Sequence, residues 1–488
     1  MSDSPSARRG APTPPTRSAG TPGPAPPELR AELGLRDVAG FLIVAVASPR
    51  WIATAAAAGP ASLTLWLVGL VAFFLPLAFT TLELSSRMPE EGGIYAWVRH
   101  SFGDFAAFLA AWMYWASNLV YFPGLLYFTV GNALGIAGRR GDAWANHPAW
   151  FVGASLAALA IALVANVRGV RTGTRLHNLA AIATWVPVAM LVGLAAAAFA
   201  THGAATPITA RSLVPAPGLE HAIFASSLAF AFAGLEAASL MGEEIRDARR
   251  TLPRAILLAG LGILALYMLG TAAALVALPS SETSELSGIV QAIARAGERL
   301  GFPAAGPIAA ALLTLSGIGA VGAWLASVAR LPFVAGLDRH LPPAFGRLHP
   351  RWGTPVAALV AQAAGTAVFV VLGQAGTSVR AAYDAFVRAT VIVYFVPYVW
   401  MFATLIAVQR EPAGAGVRRV PGGPWMARLC ASVGLVTTLA SIGLSMVPAR
   451  DAPSPALDVL RVVGGSLGLA LVGAWLYAAG RRRRAPAP

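Results

Sequence analysis

Phe230-Ala231-Phe232-Ala233-Gly234-Leu235-Glu236 stands in the middle of an apolar run, residues 221–242, that is long enough to cross a lipid bilayer. A helix-weakening glycine two residues before a carboxylate is out of place there. The Glu236 side chain is too short to reach either surface from mid-span, which marks a functional position in the membrane interior. The first apolar run, 38–58, carries a second anomaly in Ala45-Val46-Ala47-Ser48-Pro49-Arg50. Pro49 has no amide hydrogen and disfavours helical geometry at Ser48 before it. Arg50 follows at once, a full charge inside a span. The two interruptions lie five runs apart. With an odd number of spans per repeat, a second copy enters the membrane upside down, and interruptions at matching places in two inverted halves point to the central site of a secondary transporter.

Outward from these two places the chain reads as membrane throughout. Apolar runs recur at 38–58, 63–85, 105–135, 148–168, 179–200, 221–242, 255–278, 304–332, 354–374, 386–409, 424–447 and 458–479. They are too long and too uniform for barrel strands, so the expected fold is all-α and polytopic with twelve spans. Composition agrees: 57% of the 488 residues are hydrophobic and 12% charged, where a soluble domain carries about a quarter as charges. Residues 1–29 hold eight prolines and few large apolar side chains, and read as a disordered tail. No signal peptide is visible before the first run.

The net charge of +14 comes from arginine alone, since the sequence has no lysine. With both termini on one side, 26 of the 36 arginines fall on that side, including Arg481 to Arg484, and nine on the other. The bias places both termini in the cytoplasm and makes lipid and membrane potential, not nucleic acid, the reason for the basic balance.

Unwinding a span frees amide hydrogens at one half-helix start and carbonyl oxygens at the other half-helix end. The amides suit a carboxylate and the carbonyls an ammonium or a cation, and a zwitterionic amino acid needs both. Simpler readings stand beside this one. Pro49 can be a kink, Arg50 can snorkel to an interface or face an aqueous cavity, and the small residues can serve helix packing.

Four stretches resemble the amino acid–polyamine–organocation permeases. They are Glu83-Leu84-Ser85-Ser86-Arg87-Met88-Pro89 leading into Gly92-Gly93-Ile94-Tyr95-Ala96-Trp97-Val98 and Phe102-Gly103; Phe232 to Glu236 with Gly242-Glu243-Glu244 and Pro253-Arg254-Ala255; Arg330 with Asp338-Arg339-His340-Leu341-Pro342-Pro343 and Thr354-Pro355; and Trp112-Met113-Tyr114-Trp115 with Tyr121-Phe122-Pro123. The last is most similar to the glutamate/GABA antiporter and polyamine carrier branches. The resemblance implies two inverted five-helix repeats, here 30–200 and 201–410, with helices one and six unwound at the substrate. Two further spans (411–480) and a basic tail (481–488) follow.

It also implies roles. Phe230 matches an aromatic gate on helix six, Glu236 an acid of proton sensing or gating, Tyr114 an aromatic closing the site from helix three, and Trp324 an aromatic on helix eight that packs on the substrate. Ala45, Val46, Ala47 and Ser48, with Ala231, Ala233 and Gly234, are the expected substrate-binding stretches. Three departures are visible. Ala45-Val46-Ala47 replaces a Gly-Ser-Gly-like run, Ala248 stands where proline is usual, and Arg50 stands where an apolar residue is expected. Arg50 is a candidate partner for Glu236 or for an anionic substrate group.

Sodium-coupled proteins of this fold bind the ion between helices one and eight, and some proton-coupled ones place a lysine on helix five. Span 179–200 has no basic residue, and Ser316 and Ser327 on helix eight read as packing serines, which leaves solute exchange or proton coupling through Glu236. The expected activity is a secondary amino acid carrier in the cytoplasmic membrane, with an amino acid as the small-molecule substrate. A polyamine carrier is the alternative within transport, and a non-transporting nutrient sensor outside it. No enzyme, metal or cofactor is expected. The single cysteine, Cys430, has no companion, and the seven histidines fall in connections or at span ends. The oligomeric state is open, with a homodimer among the options.

Overall fold

The computed structural model describes residues 34–88, 93–168, 170–236, 245, 247–329, 341–414, 416–449 and 454–484. The tail 1–29, Pro89, Gly92, Gly242-Glu243-Glu244, Arg330, Asp338-Arg339-His340 and residues 485–488 lie outside these. All regular elements among the described residues are helices. Ten are long and apolar enough to cross a membrane by length and composition, with mean hydropathy between 1.4 and 2.2. They fall on the expected runs other than 38–58 and 221–242. Those two are the interrupted ones: the first is split into α1 (Leu35–Val46) and α2 (Pro49–Ala57), and the second is cut short.

The chain then continues as α3 (Ala61–Gly69), which passes through a π-helical turn at Leu70–Phe74 into α4 (Leu75–Arg87), followed by α5 (Ile94–Leu134), α6 (Pro148–Val167) and α7 (Val170–His202). After α8 (Leu219–Phe230) come α9 (Ala248–Ala277), α10 (Gly288–Arg299), α11 (Ala305–Val328), α12 (Val356–Gln374), α13 (Val379–Val408), α14 (Gly423–Ser445) and α15 (Gly465–Arg484). Helix α10 was not expected from the apolar runs. It is amphipathic, burying Ile289, Val290, Ile293 and Ala296 at helical spacing.

The interior is set by α5 and α13, which pack along most of their length, with α11 against α5 and α7, and α1 against α9. Close approach depends on missing side chains: a Cβ at Gly270 of α9 would stand 2.5 Å from Ile52 of α2. Position 270 therefore lets the second half of the first span lie directly on α9.

Two buried charged groups fasten the cores of these helices to the connections. Arg388 of α13 donates from Nη2 to both Asp458 oxygens at 2.7 Å and from Nη1 to the Val447 carbonyl at 2.9 Å. Arg388, one of the nine arginines counted on the side opposite the termini, is an internal tie between α13 and the segment that follows α14. Asp458→Ala strands this guanidinium and is expected to cost about 3–5 kcal/mol, read as a fall in the apparent melting temperature of the detergent-purified protein; a double Arg388→Met/Asp458→Leu variant recovers most of it. Glu83 of α4, fully buried, accepts from Arg87 (Nε, 3.0 Å), Gln409 (Nε2, 2.7 Å) and the Val420 amide (2.8 Å).

Candidate substrate site

Helix α1 stops because Pro49 cannot supply the next amide. Ala47 (φ −71°, ψ 116°) and Ser48 (φ −123°, ψ 127°) are extended, and α2 restarts with Pro49 at its first position, where the missing amide does no harm. Helix α8 ends at Phe230 in a tight turn. The Phe232 amide bonds the Ala229 carbonyl at 3.1 Å, and the Ala233 amide the Phe230 carbonyl at 2.9 Å. Gly234 then takes φ +114°, which only glycine adopts without strain. A 3₁₀ turn carries Leu235 and Glu236.

One phenol joins the two interruptions. The Tyr267 hydroxyl of α9 accepts from the Ser48 amide at 3.2 Å and lies 3.1 Å from both the Val46 and the Ala231 carbonyl oxygens, to either of which its single O–H can donate. Its ring is held by stacking on Trp66 at 4.3 Å and 15°. Three more phenols surround Glu236, which is 1% exposed. Tyr398 donates to Oε2 at 2.7 Å while accepting from the Gly234 amide at 3.0 Å. Tyr114 and Tyr394 donate to Oε1 at 2.9 and 3.2 Å. The carboxylate thus ties the turn after α8 to α5 and α13 through charge-assisted hydrogen bonds.

Beside this cluster lies a small cavity. Val46 borders it from the first interruption, Phe230, Ala231 and Ala233 from the second, and Trp324 from α11. Trp51, Asn118, Tyr121 and Tyr394 complete its wall. The rings form a continuous cage: Phe230 meets Trp51 edge-on at 5.5 Å and Tyr394 at 5.3 Å, and Tyr121 meets Trp324 at 6.4 Å. Asn118 donates from Nδ2 to the Tyr114 carbonyl at 3.1 Å, while its buried Oδ1 has no hydrogen-bond partner. Such a site offers aromatic faces for an apolar stem or a cation, with a few polar groups to orient it.

Of the residues expected at the site, Val46, Phe230, Ala231, Ala233 and Trp324 come together around the cavity. Ala47 and Ser48 form the first interruption, and Ala45 lies in the last turn of α1. Tyr114, Gly234 and Glu236 belong to the phenol–carboxylate cluster behind the wall. Arg50 does not line the cavity but lies behind two of its wall residues, Trp51 and Tyr121. It is 1% exposed, its guanidinium covers the ring of Trp51 at 4.5 Å, and it has no hydrogen bond to Glu236. Tyr267, Tyr394, Tyr398 and Asn118 were not anticipated. Ser316 pairs with Thr184 Oγ1 of α7 at 2.6 Å, and Ser327 donates to the Ala323 carbonyl of its own helix at 3.0 Å. Among the described residues no group of His, Cys, Asp and Glu could hold a metal ion.

A family profile described as amino acid permease matches residues 33–462. The chain belongs to that family. As an amino acid permease of the amino acid–polyamine–organocation superfamily, it is a multi-pass membrane transporter and not an enzyme. It is 26% identical over 445 residues to an uncharacterized transporter of Legionella pneumophila, covering 89% of this chain and 94% of that one. It is 28% identical over 384 residues to a putative arginine/ornithine antiporter of Escherichia coli (76% and 80% covered). A probable agmatine/putrescine antiporter of Lactococcus lactis is 22% identical over 433 residues (86% and 89%).

Proposed function

We propose that this permease exchanges amino acids across the cytoplasmic membrane by alternating access, with the cavity between the two interrupted helices as the substrate site. The reading is carried by Tyr267, whose hydroxyl couples Ser48 and Val46 of the first interruption to Ala231 of the second at the edge of the cavity. Peptide groups taken out of helical bonding are what a zwitterion needs inside a membrane. The antiporters among its relatives support exchange as the mode of transport. The arrangement that fits is two inverted repeats, 30–200 and 201–410, followed by two further spans within 411–480, twelve in all, with both termini cytoplasmic.

In this reading Val46, Ala231 and Ala233 present backbone to the solute, Phe230 and Trp324 hold its side chain, and Glu236 with Tyr114 links solute binding to movement of the α8 turn. The test is counterflow in proteoliposomes. Labelled arginine, ornithine or glutamate outside should accumulate against unlabelled solute inside, with no added ion gradient. Binding in a thermal-shift assay without counterflow would make the protein a sensor of the same fold and overturn the proposal.

A further inference from the structure

Among the described residues Arg50 is a buried cation with no hydrogen bond and no close ion pair. None of Nε, Nη1 and Nη2 has a hydrogen-bond partner among the described residues. A second buried guanidinium, Arg388, is bonded to a carboxylate and a carbonyl. Arginine has five N–H donors and no accessible neutral form, so withdrawing it from water with those donors empty is strongly unfavourable. The rings of Trp51 at 4.5 Å, Tyr383 at 5.2 Å and Tyr121 at 5.7 Å offset part of this through their faces but accept no in-plane hydrogen bond. Glu285 and Asp384 are near enough to Tyr383 to act on it electrostatically, yet neither is hydrogen bonded to Arg50.

Position adds to the imbalance. Arg50 is in the first turn of α2, where the helix dipole is already positive and a basic side chain has the wrong sign. Trp51 and Tyr121, whose faces it covers, are themselves walls of the cavity. Gly124 of α5 makes room for the group, since a Cβ there would stand 3.1 Å from Nη1. An anion arriving from the cavity side would answer both the empty guanidinium and the helix start.

We propose that Arg50 recognises a carboxylate of the transported solute, so that the carrier takes carboxylate-bearing amino acids and rejects the amines that decarboxylation leaves. This rests on the cavity being the solute site. A polyamine brings only positive charge, which Arg50 and the α2 start both oppose, and the acid in the adjoining cluster, Glu236, already accepts from three phenols.

The experiment uses matched pairs that differ by one carboxylate: arginine with agmatine, ornithine with putrescine, and glutamate with 4-aminobutyrate. Each is read by thermal shift of the purified protein and by counterflow in proteoliposomes. The third pair separates an α-carboxylate from a side-chain one, because 4-aminobutyrate keeps its distal group. The acid of at least one pair should bind about tenfold or more tightly than its amine, and Arg50→Gln and Arg50→Met should weaken it by about ten- to a hundredfold. Arg50→Lys keeps part of the preference. Without ligand, Arg50→Met should melt at or above the wild-type temperature, because it removes an unpaired buried charge.

Unchanged selectivity in Arg50→Gln, or a wild type that prefers agmatine and putrescine, overturns the assignment while leaving the carrier reading intact. A marked loss of ligand-free stability in both the Gln and Met variants would make Arg50 a structural cation and overturns it too. Carboxylate binding that depends on Arg50 but comes without counterflow upholds the assignment and sinks the carrier reading. No binding of any acid sinks both.

Discussion

Glu236→Gln is expected to keep the fold and lose most of the exchange activity, by about ten- to a hundredfold in turnover. The carboxylate accepts three phenol hydrogens, one at Oε2 and two at Oε1. An amide of the same shape presents two donors on one side, so at least one phenol must reverse its hydrogen bond. Tyr398 has little freedom to do so, because its oxygen already accepts from Gly234. The charge that binds the α8 turn to α5 and α13 is gone while volume and packing stay. Glu236→Ala goes further and leaves the phenols without an acceptor, so it should also lower stability. Counterflow rates beside melting temperatures separate the two effects. Wild-type turnover in the Gln variant would reduce the cluster to a scaffold.

Tyr267→Phe should be damaging in a different way. The ring is fully buried between Trp66 and Phe232 and fits unchanged as phenylalanine. Only the hydroxyl is lost, and with it the acceptor for the Ser48 amide and the one donor shared by the Val46 and Ala231 carbonyls. Each stranded group in a membrane interior costs about 1–3 kcal/mol. Because Val46 and Ala231 both border the cavity, the half-saturating substrate concentration should rise about tenfold along with the loss of stability. A variant that melts earlier but binds normally would confine Tyr267 to holding the fold together.

The two interruptions were legible because they break strong local rules: Pro49 removes an amide, and Gly234 and Glu236 are costly in an apolar helix. The phenols that organise them were not. In a membrane helix the faces toward lipid and toward protein are both apolar, so periodicity does not say which way Tyr267 or Tyr114 points. Tyr394 and Tyr398 do carry a signal, being one turn apart on a helix where each hydroxyl must find a partner. Together with a lone mid-span carboxylate they suggest a mutual solution, but only the packing of α13 on α5 brings them to Glu236. Arg50 was conspicuous by its charge, yet its separation from Glu236 depends on the direction of α2 after the extended pair Ala47–Ser48, which no linear reading supplies.

The Glu83 contacts bear on how such a molecule can swing. A single carboxylate grips its own helix end through Arg87, the end of α13 through Gln409, and the strand of chain leading to α14 through Val420. Three parts remote in sequence are thereby clamped at one corner. If the transporter rocks, that corner is carried as one rigid block, and the hinge must lie further inward, where the backbone is already unwound.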